Sequence, residues 1–124
     1  MDELMLPKCA LWSYLVMQAL CSEAIALEEV GSEILNTCLS EQRALSGDAA
    51  AGIRYGLCLG YLKGIADTLN GIEFCLPETG ETALITQQLK QVYMEYMFTR
   101  QAALNLPATQ TVVPALKKVF PCRR

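Results

Sequence analysis

Histidine is missing altogether from the 124 residues. That excludes Ser-His-Asp and Cys-His catalysis, histidine-ligated zinc and a histidine pH switch. Basic residues are scarce as well: 10 Lys plus Arg stand against 13 Asp plus Glu, for a net charge of −3 and a pI of about 4.9. The chain therefore has no electrostatic footprint for nucleic acid. Glycine and proline together number only 13 while hydrophobic residues make up 52%, so neither a collagen-like repeat nor a disordered chain fits. No apolar/polar alternation of useful length argues for strands, and there is no internal repeat, linker or low-complexity tract. The length allows one domain. What the chain does have is six cysteines, a density that asks for an oxidising compartment or a metal.

The N-terminus answers the compartment question. Lys8 is the only positive charge in residues 1–26. Cys9 to Cys21 is an apolar stretch interrupted only by Ser13 and Gln18, and the small-x-small triplet Ala24-Ile25-Ala26 follows. Charged start, short apolar run and A-x-A site predict a secretory signal peptide cleaved after Ala26, with Met1 or Met5 as initiator. The run is too short to span a membrane, which takes about 20 residues. The alternative is a buried N-terminal helix. Cleavage leaves residues 27–124, with ten acids, nine bases, four cysteines and no tryptophan, because Trp12 departs with the leader.

Apolar spacing divides the mature chain into four helices, an all-α, small four-helix up-down bundle. The first is expected from about Leu27 to Ala44, carrying Leu27, Val30, Ile34, Leu35 and Cys38 on one stripe. Gly47 suits its stop, and Asp48 suits the N-cap of the next helix. The second is expected from about Ala49 to Leu69, with Ile53, Leu57, Tyr61, Ile65 and Leu69 at i+4 spacing. Asn70-Gly71 ends it. Residues 72–83 read as a loop rich in Pro, Gly, Thr and Glu. A third helix is expected from Leu84 or Thr86 to about Leu104, with Ile85, Leu89, Val92, Tyr93, Tyr96 and Met97 facing inward. The fourth is expected from Pro107, bent by Pro114 and stopped by Pro121.

Three features carry candidate chemistry. Gly56, Gly60 and Gly64, beside Tyr61, recur at i+4, and each glycine costs about 1 kcal/mol against alanine in a helix. Close approach of another backbone explains such a cost, either as helix packing inside the bundle or on a homodimer or partner surface. Cys38, Cys58, Cys75 and Cys122 contain no C-x-x-C pair, which argues against zinc and for two disulfides. Three pairings exist. In an up-down bundle Cys38 and Cys58 lie at nearly equal distances either side of the Gly47 turn, while Cys75 and Cys122 each lie just past a helix end at the same pole. The expected pairs are Cys38–Cys58 and Cys75–Cys122. Glu73, Glu78 and Glu81 in the long loop lack any catalytic partner. They fit a solvated or partner-contacting loop, together with Asp67, Asn70, Pro77, Thr79, Gly80 and Thr82, rather than an enzyme.

The run Cys58-Leu59-Gly60-Tyr61-Leu62-Lys63-Gly64-Ile65-Ala66-Asp67, then Phe74-Cys75-Leu76-Pro77, Thr86-Gln87-Gln88-Leu89 and Phe120-Pro121-Cys122, with the Gly31, Leu35 and Cys38 region before them, resembles the Rap/Tai immunity proteins. The resemblance spans nearly the whole mature chain. Two departures are a longer Pro77–Thr86 stretch and Pro114 within the last helix. The resemblance implies a small periplasmic all-α protein without cofactor, often a homodimer, that plugs the catalytic cleft of a cognate peptidoglycan amidase effector injected by type VI secretion. An adaptor or structural helical protein with a different partner is the rival expectation.

Overall fold

The computed structural model describes residues 29–78 and 81–123. The expected leader, residues 1–26, and the expected partner contacts Thr79 and Gly80 lie outside the described residues. The side chain of Thr82 does too. The elements are α1 (Gly31–Cys38), α2 (Glu41–Leu45), α3 (Ala49–Leu69), α4 (Thr82–Phe98), a 3-10 turn (Gln101–Asn105) and α5 (Thr109–Val119). Among the described residues there is no strand, only the isolated bridges Val30–Pro107 and Asn70–Phe74. α1 and α2 form the first limb of a four-limbed bundle, and the long α3 packs against α1, α2, α4 and α5.

The first limb is two helices rather than the single one expected. Thr37 Oγ1 donates to the Ile34 carbonyl at 2.6 Å and Ser40 Oγ to the Asn36 carbonyl at 3.2 Å. Such hydroxyls compete for backbone acceptors and bend helices, and the break falls at Leu39-Ser40. Gly47, at φ +95°, makes the turn into α3. Asp48 then caps α3 as expected, its Oδ1 accepting from the Ala51 N–H at 3.1 Å. α4 starts at Thr82, earlier than expected, and ends at Phe98. There Thr99 Oγ1 bonds the carbonyls of Glu95 and Tyr96, and the 3-10 turn takes the residues assigned by periodicity to the end of that helix. α5 runs from Thr109 through Pro114 without interruption, with Pro107 left outside it.

The core follows from the stripes. Ile34, Leu35, Cys38, Leu62, Phe74, Leu89, Tyr93, Met97, Val112, Ala115 and Leu116 are buried together. Its one polar knot is satisfied: the Tyr93 hydroxyl donates to the Gly31 carbonyl at 3.2 Å and pairs with Thr111 Oγ1 at 3.0 Å. Burial pushes the Tyr93 phenol above its ordinary pKa. This knot ties α1, α4 and α5 at one point.

The i+4 row on α3 behaves differently. Ile53 is 69% and Leu57 58% exposed, whereas the buried face consists of Ala51, Cys58, Leu62 and Ala66, with Tyr61, Ile65 and Leu69 packed partly against it. At 3.6 residues per turn each i+4 step advances about 40° around the helix, so Ile53 and Leu69 end about 160° apart. A strict i+4 row therefore winds from solvent to core. The expectation that Gly56, Gly60 and Gly64 pack inside the bundle is corrected by the same geometry. A Cβ built at any of them, or at Gly52, meets nothing within 4 Å among the described residues, so these glycines face out from the described bundle and no contact within it requires them.

Both disulfides pair as expected. Cys38–Cys58 and Cys75–Cys122 have Cα separations of 5.0 and 4.8 Å and close loops of 20 and 47 residues. By loop entropy they contribute about 3 and 4 kcal/mol, substantial for a domain of this size.

Candidate partner-binding crevice

The end of α3, the loop after it and the start of α4 enclose a crevice of about 150 Å³ lined by Lys63, Ala66, Asp67, Asn70, Leu76, Pro77, Ile85, Thr86 and Leu89. Its floor is core, through Ala66 and Leu89. Its rim is polar. Lys63 Nζ pairs with Asp67 Oδ2 at 2.5 Å, one helical turn along, and both side chains stay substantially exposed. An exposed i, i+4 pair of this kind contributes only tenths of a kcal/mol, so it is available to exchange partners.

The wall opposite α3 is held by local chemistry. α3 cannot continue past Asn70, which has extended backbone angles. Gly71 takes φ +85°, the left-handed region open to glycine, and its N–H donates to the Phe74 carbonyl at 2.7 Å. Phe74 is fully buried and anchors the turn. Asn70 Oδ1 accepts from the Leu76 N–H at 2.9 Å, which fixes Leu76 and Pro77 against the crevice. Next to them the Cys75 N–H donates to the Phe120 carbonyl at 2.8 Å, and the Cys75–Cys122 bond ties the same residue to the end of α5.

The structure brings together Asp67, Asn70 and Pro77 of the expected partner-contacting set. Glu78 and Glu81 lie exposed on the stretch that leads from this wall into α4, Glu81 as the N-cap residue of that helix. Glu73 is turned away: its carboxylate pairs with Lys117 of α5 at 3.6 Å. Lys63, Leu76, Ile85 and Thr86 were not among the expected contacts. The i, i+4 pair Lys63/Asp67 was the available signal for the first.

A second, more open groove of about 360 Å³ lies between α2 and α4, lined by Glu41, Gln87, Lys90, Gln91, Met94, Glu95 and Phe98. Its polar end is a three-helix lock. Lys90 Nζ donates to Glu41 Oε2 and to the Tyr55 hydroxyl, the latter at 3.3 Å. Tyr55 donates to Glu41 Oε1 at 3.0 Å and accepts from Gln87 Nε2 at 2.9 Å. The hydrogen bond from Lys90 holds the Glu41 carboxyl below its ordinary pKa, against partial desolvation and with help from Tyr55. Desolvation pulls Lys90 down, but the bonds to Glu41 and Tyr55 outweigh it and its pKa lies above the ordinary lysine value. Every member is satisfied within the chain, so the lock is structural rather than reactive.

Among the described residues no group of three or more His, Cys, Asp or Glu side chains is placed to hold a metal ion, and no helix is long and apolar enough to cross a membrane. The geometry provides a polar-rimmed crevice with a core floor.

No curated protein and no solved structure matches the chain. The family profile of the Rap1a immunity proteins matches residues 30–122. That range holds all four disulfide cysteines, every helix of the described residues and the complete crevice lining. With three quarters of its length covered, the chain belongs to the Rap1a immunity protein family.

Proposed function

We propose that this chain is a periplasmic immunity protein that binds and occludes a cognate type VI secretion peptidoglycan amidase, protecting the producing cell and its kin. Residues 1–26 direct export and are cleaved after Ala26, and the disulfides form in the oxidising compartment. The observation that carries the mode of action is the crevice wall, pinned at Phe74, Asn70 and Cys75. A segment fixed in this way loses little entropy on binding. Asp67, Glu78 and Glu81, with Thr79, Gly80 and Thr82 of the same segment, meet basic groups at the enzyme's cleft. Their charges set specificity and association rate more than raw affinity. No catalysis by the immunity protein is required.

The test is hydrolysis of peptidoglycan by type VI amidase effectors, each titrated with the mature protein. Inhibition is expected at near-stoichiometric ratios. Replacing Asp67, Glu78 and Glu81 together with alanine should weaken it by about tenfold or more at limiting protein, with the fold intact. Full inhibition by that variant, and by one lacking residues 78–82, would remove the crevice rim as the plug. Co-purification without inhibition would favour an adaptor with a different partner. A homodimer through the outer face of α3 is a second contact, supported by four open glycines beside exposed Ile53 and Leu57. Light scattering of the mature protein and of Gly60→Leu tests it.

A further inference from the structure

The two disulfides differ sharply in access. Cys38 is 1% and Cys58 0% exposed, inside the core between α1 and α3. Cys75 and Cys122 are both exposed, as are their neighbours Pro121 and Arg123. Thiol–disulfide exchange needs an attacking thiolate to reach a sulfur in line with the bond. The outer bond offers that approach in the folded state. The inner bond offers it only after the core opens.

The outer bond also sits where its loss is felt at the crevice. Cys75 directly precedes Leu76 and Pro77, which form the wall. Without the bond, the wall is tied to α5 by the Cys75 N–H to Phe120 carbonyl hydrogen bond and the Glu73–Lys117 pair, and to the end of α3 by the Leu76 N–H to Asn70 Oδ1 hydrogen bond. Each is a weak contact at a surface. Its loss costs stability, but the helices keep their own core contacts. α5 keeps Val112, Ala115 and Leu116 in the core, and the turn keeps Phe74.

We propose that Cys75–Cys122 is a redox-sensitive clamp on the crevice: a dithiol reductant opens it while Cys38–Cys58 stays closed, and the reduced protein keeps its helices but has a looser wall, no longer tied covalently to α5. The reductant's thiolate attacks the Sγ of one of these exposed cysteines and forms a mixed disulfide, expelling the other cysteine as thiolate. The reductant's second thiol then displaces the attached cysteine. The dithiol gives up two electrons and becomes a disulfide, and Cys75 and Cys122 end as protonated thiols. The effect on binding rests on the crevice being the partner site; the order of reduction does not.

The experiment is graded dithiothreitol on the natively folded exported protein, quenched by alkylation and mapped by mass spectrometry. Cys75 and Cys122 should label at least about a hundredfold faster than Cys38 and Cys58. Circular dichroism should be unchanged at that point, and amide exchange should rise over residues 74–78. A Cys75→Ser/Cys122→Ser variant should reproduce the reduced state. Simultaneous labelling of all four cysteines, loss of helicity with the first pair, or unchanged exchange over 74–78 would each overturn the clamp. If the clamp opens as described and amidase inhibition falls by about tenfold, the crevice reading stands with it. If inhibition is undiminished, the clamp stands and the crevice is not the partner site.

Discussion

Gly31 and Gly60 both sit in helices, and their surroundings are opposite. A Cβ at Gly31 would lie 2.8 Å from Met97 Cε, 2.9 Å from the Ala103 carbonyl and 2.9 Å from Thr111 Cγ2, whereas at Gly60 it would meet nothing within 4 Å. The lone glycine at the start of α1 is the one that lets elements approach. It is where the Tyr93–Thr111 knot and the 3-10 turn close on the first limb. The repeated glycines of α3 are open. Repetition at i+4 shows that residues lie near one another on a helix; it does not show which way that face points. Glycine need is settled by what stands opposite, and that is tertiary information.

The same contrast runs along α3 in its leucines, and here the largest effect is expected. Leu62 is fully buried and Leu57 58% exposed. Leu62→Ala should cost about 2–5 kcal/mol by lost burial plus a cavity. Leu57→Ala should change stability by no more than about 0.5 kcal/mol. Urea denaturation of the oxidised protein measures both. Equal losses would mean that the outer face is covered in solution.

Gly31→Ala comes next. Met97 Cε is the end of a flexible side chain and can yield, but the Ala103 carbonyl is backbone. Overpacking of this kind costs about 1–3 kcal/mol. The lost stability should appear in the denaturation midpoint, and the Tyr93 hydroxyl should become more accessible in a spectrophotometric titration. A neutral result would show that the 3-10 turn moves aside easily.

How far the sequence reaches follows from such cases. The four-limbed all-α bundle, the disulfide pairs and the Asp48 cap rest on local pattern and chain topology, and all were legible. The break at Leu39-Ser40 was not, because it depends on which carbonyls Thr37 and Ser40 choose. At the crevice, Asp67, Asn70 and Pro77 were legible from a loop following a helix end. Lys63 was within reach through its i, i+4 spacing from Asp67, but Ile85 and Thr86 were not, because they join the crevice only when α4 packs beside α3. The Glu41–Tyr55–Lys90 lock was hidden for the same reason: 49 residues separate its two charged members.

That lock gives a pH-dependent prediction. Glu41 titrates below its ordinary value of 4.5 in the folded chain. Its contribution is therefore present above that pH and is lost as pH falls through the depressed folded value. Lys90 titrates above its ordinary 10.5, so its share is present below that value and is lost only at higher pH. Glu41→Gln should cost about 1 kcal/mol at neutral pH, a figure reduced for the partial exposure of the carboxylate. It should also flatten the fall in stability below pH 4.5. Thermal melts of both proteins between neutral and acid pH test this. Parallel acid limbs would show that other carboxylates control them.

The smallest effect is the most direct test of the outer glycines. Gly56 and Gly60 lie within α3, their backbones helical and the space outside them empty. Alanine there removes chain entropy from the unfolded state and adds no clash, so each substitution should stabilise the monomer by about 0.5–1 kcal/mol. Dilute protein is the right sample, because association would mask the gain. At higher concentration the comparison sharpens. If a second copy or the amidase lies against this face, the added methyl groups will weaken that contact while raising the melting temperature of the free chain. Opposite signs in the two measurements would assign the glycines to an intermolecular contact. A stabilised monomer with unchanged association would leave them without a binding role. A destabilised monomer would contradict the open face itself and return these residues to packing within the bundle.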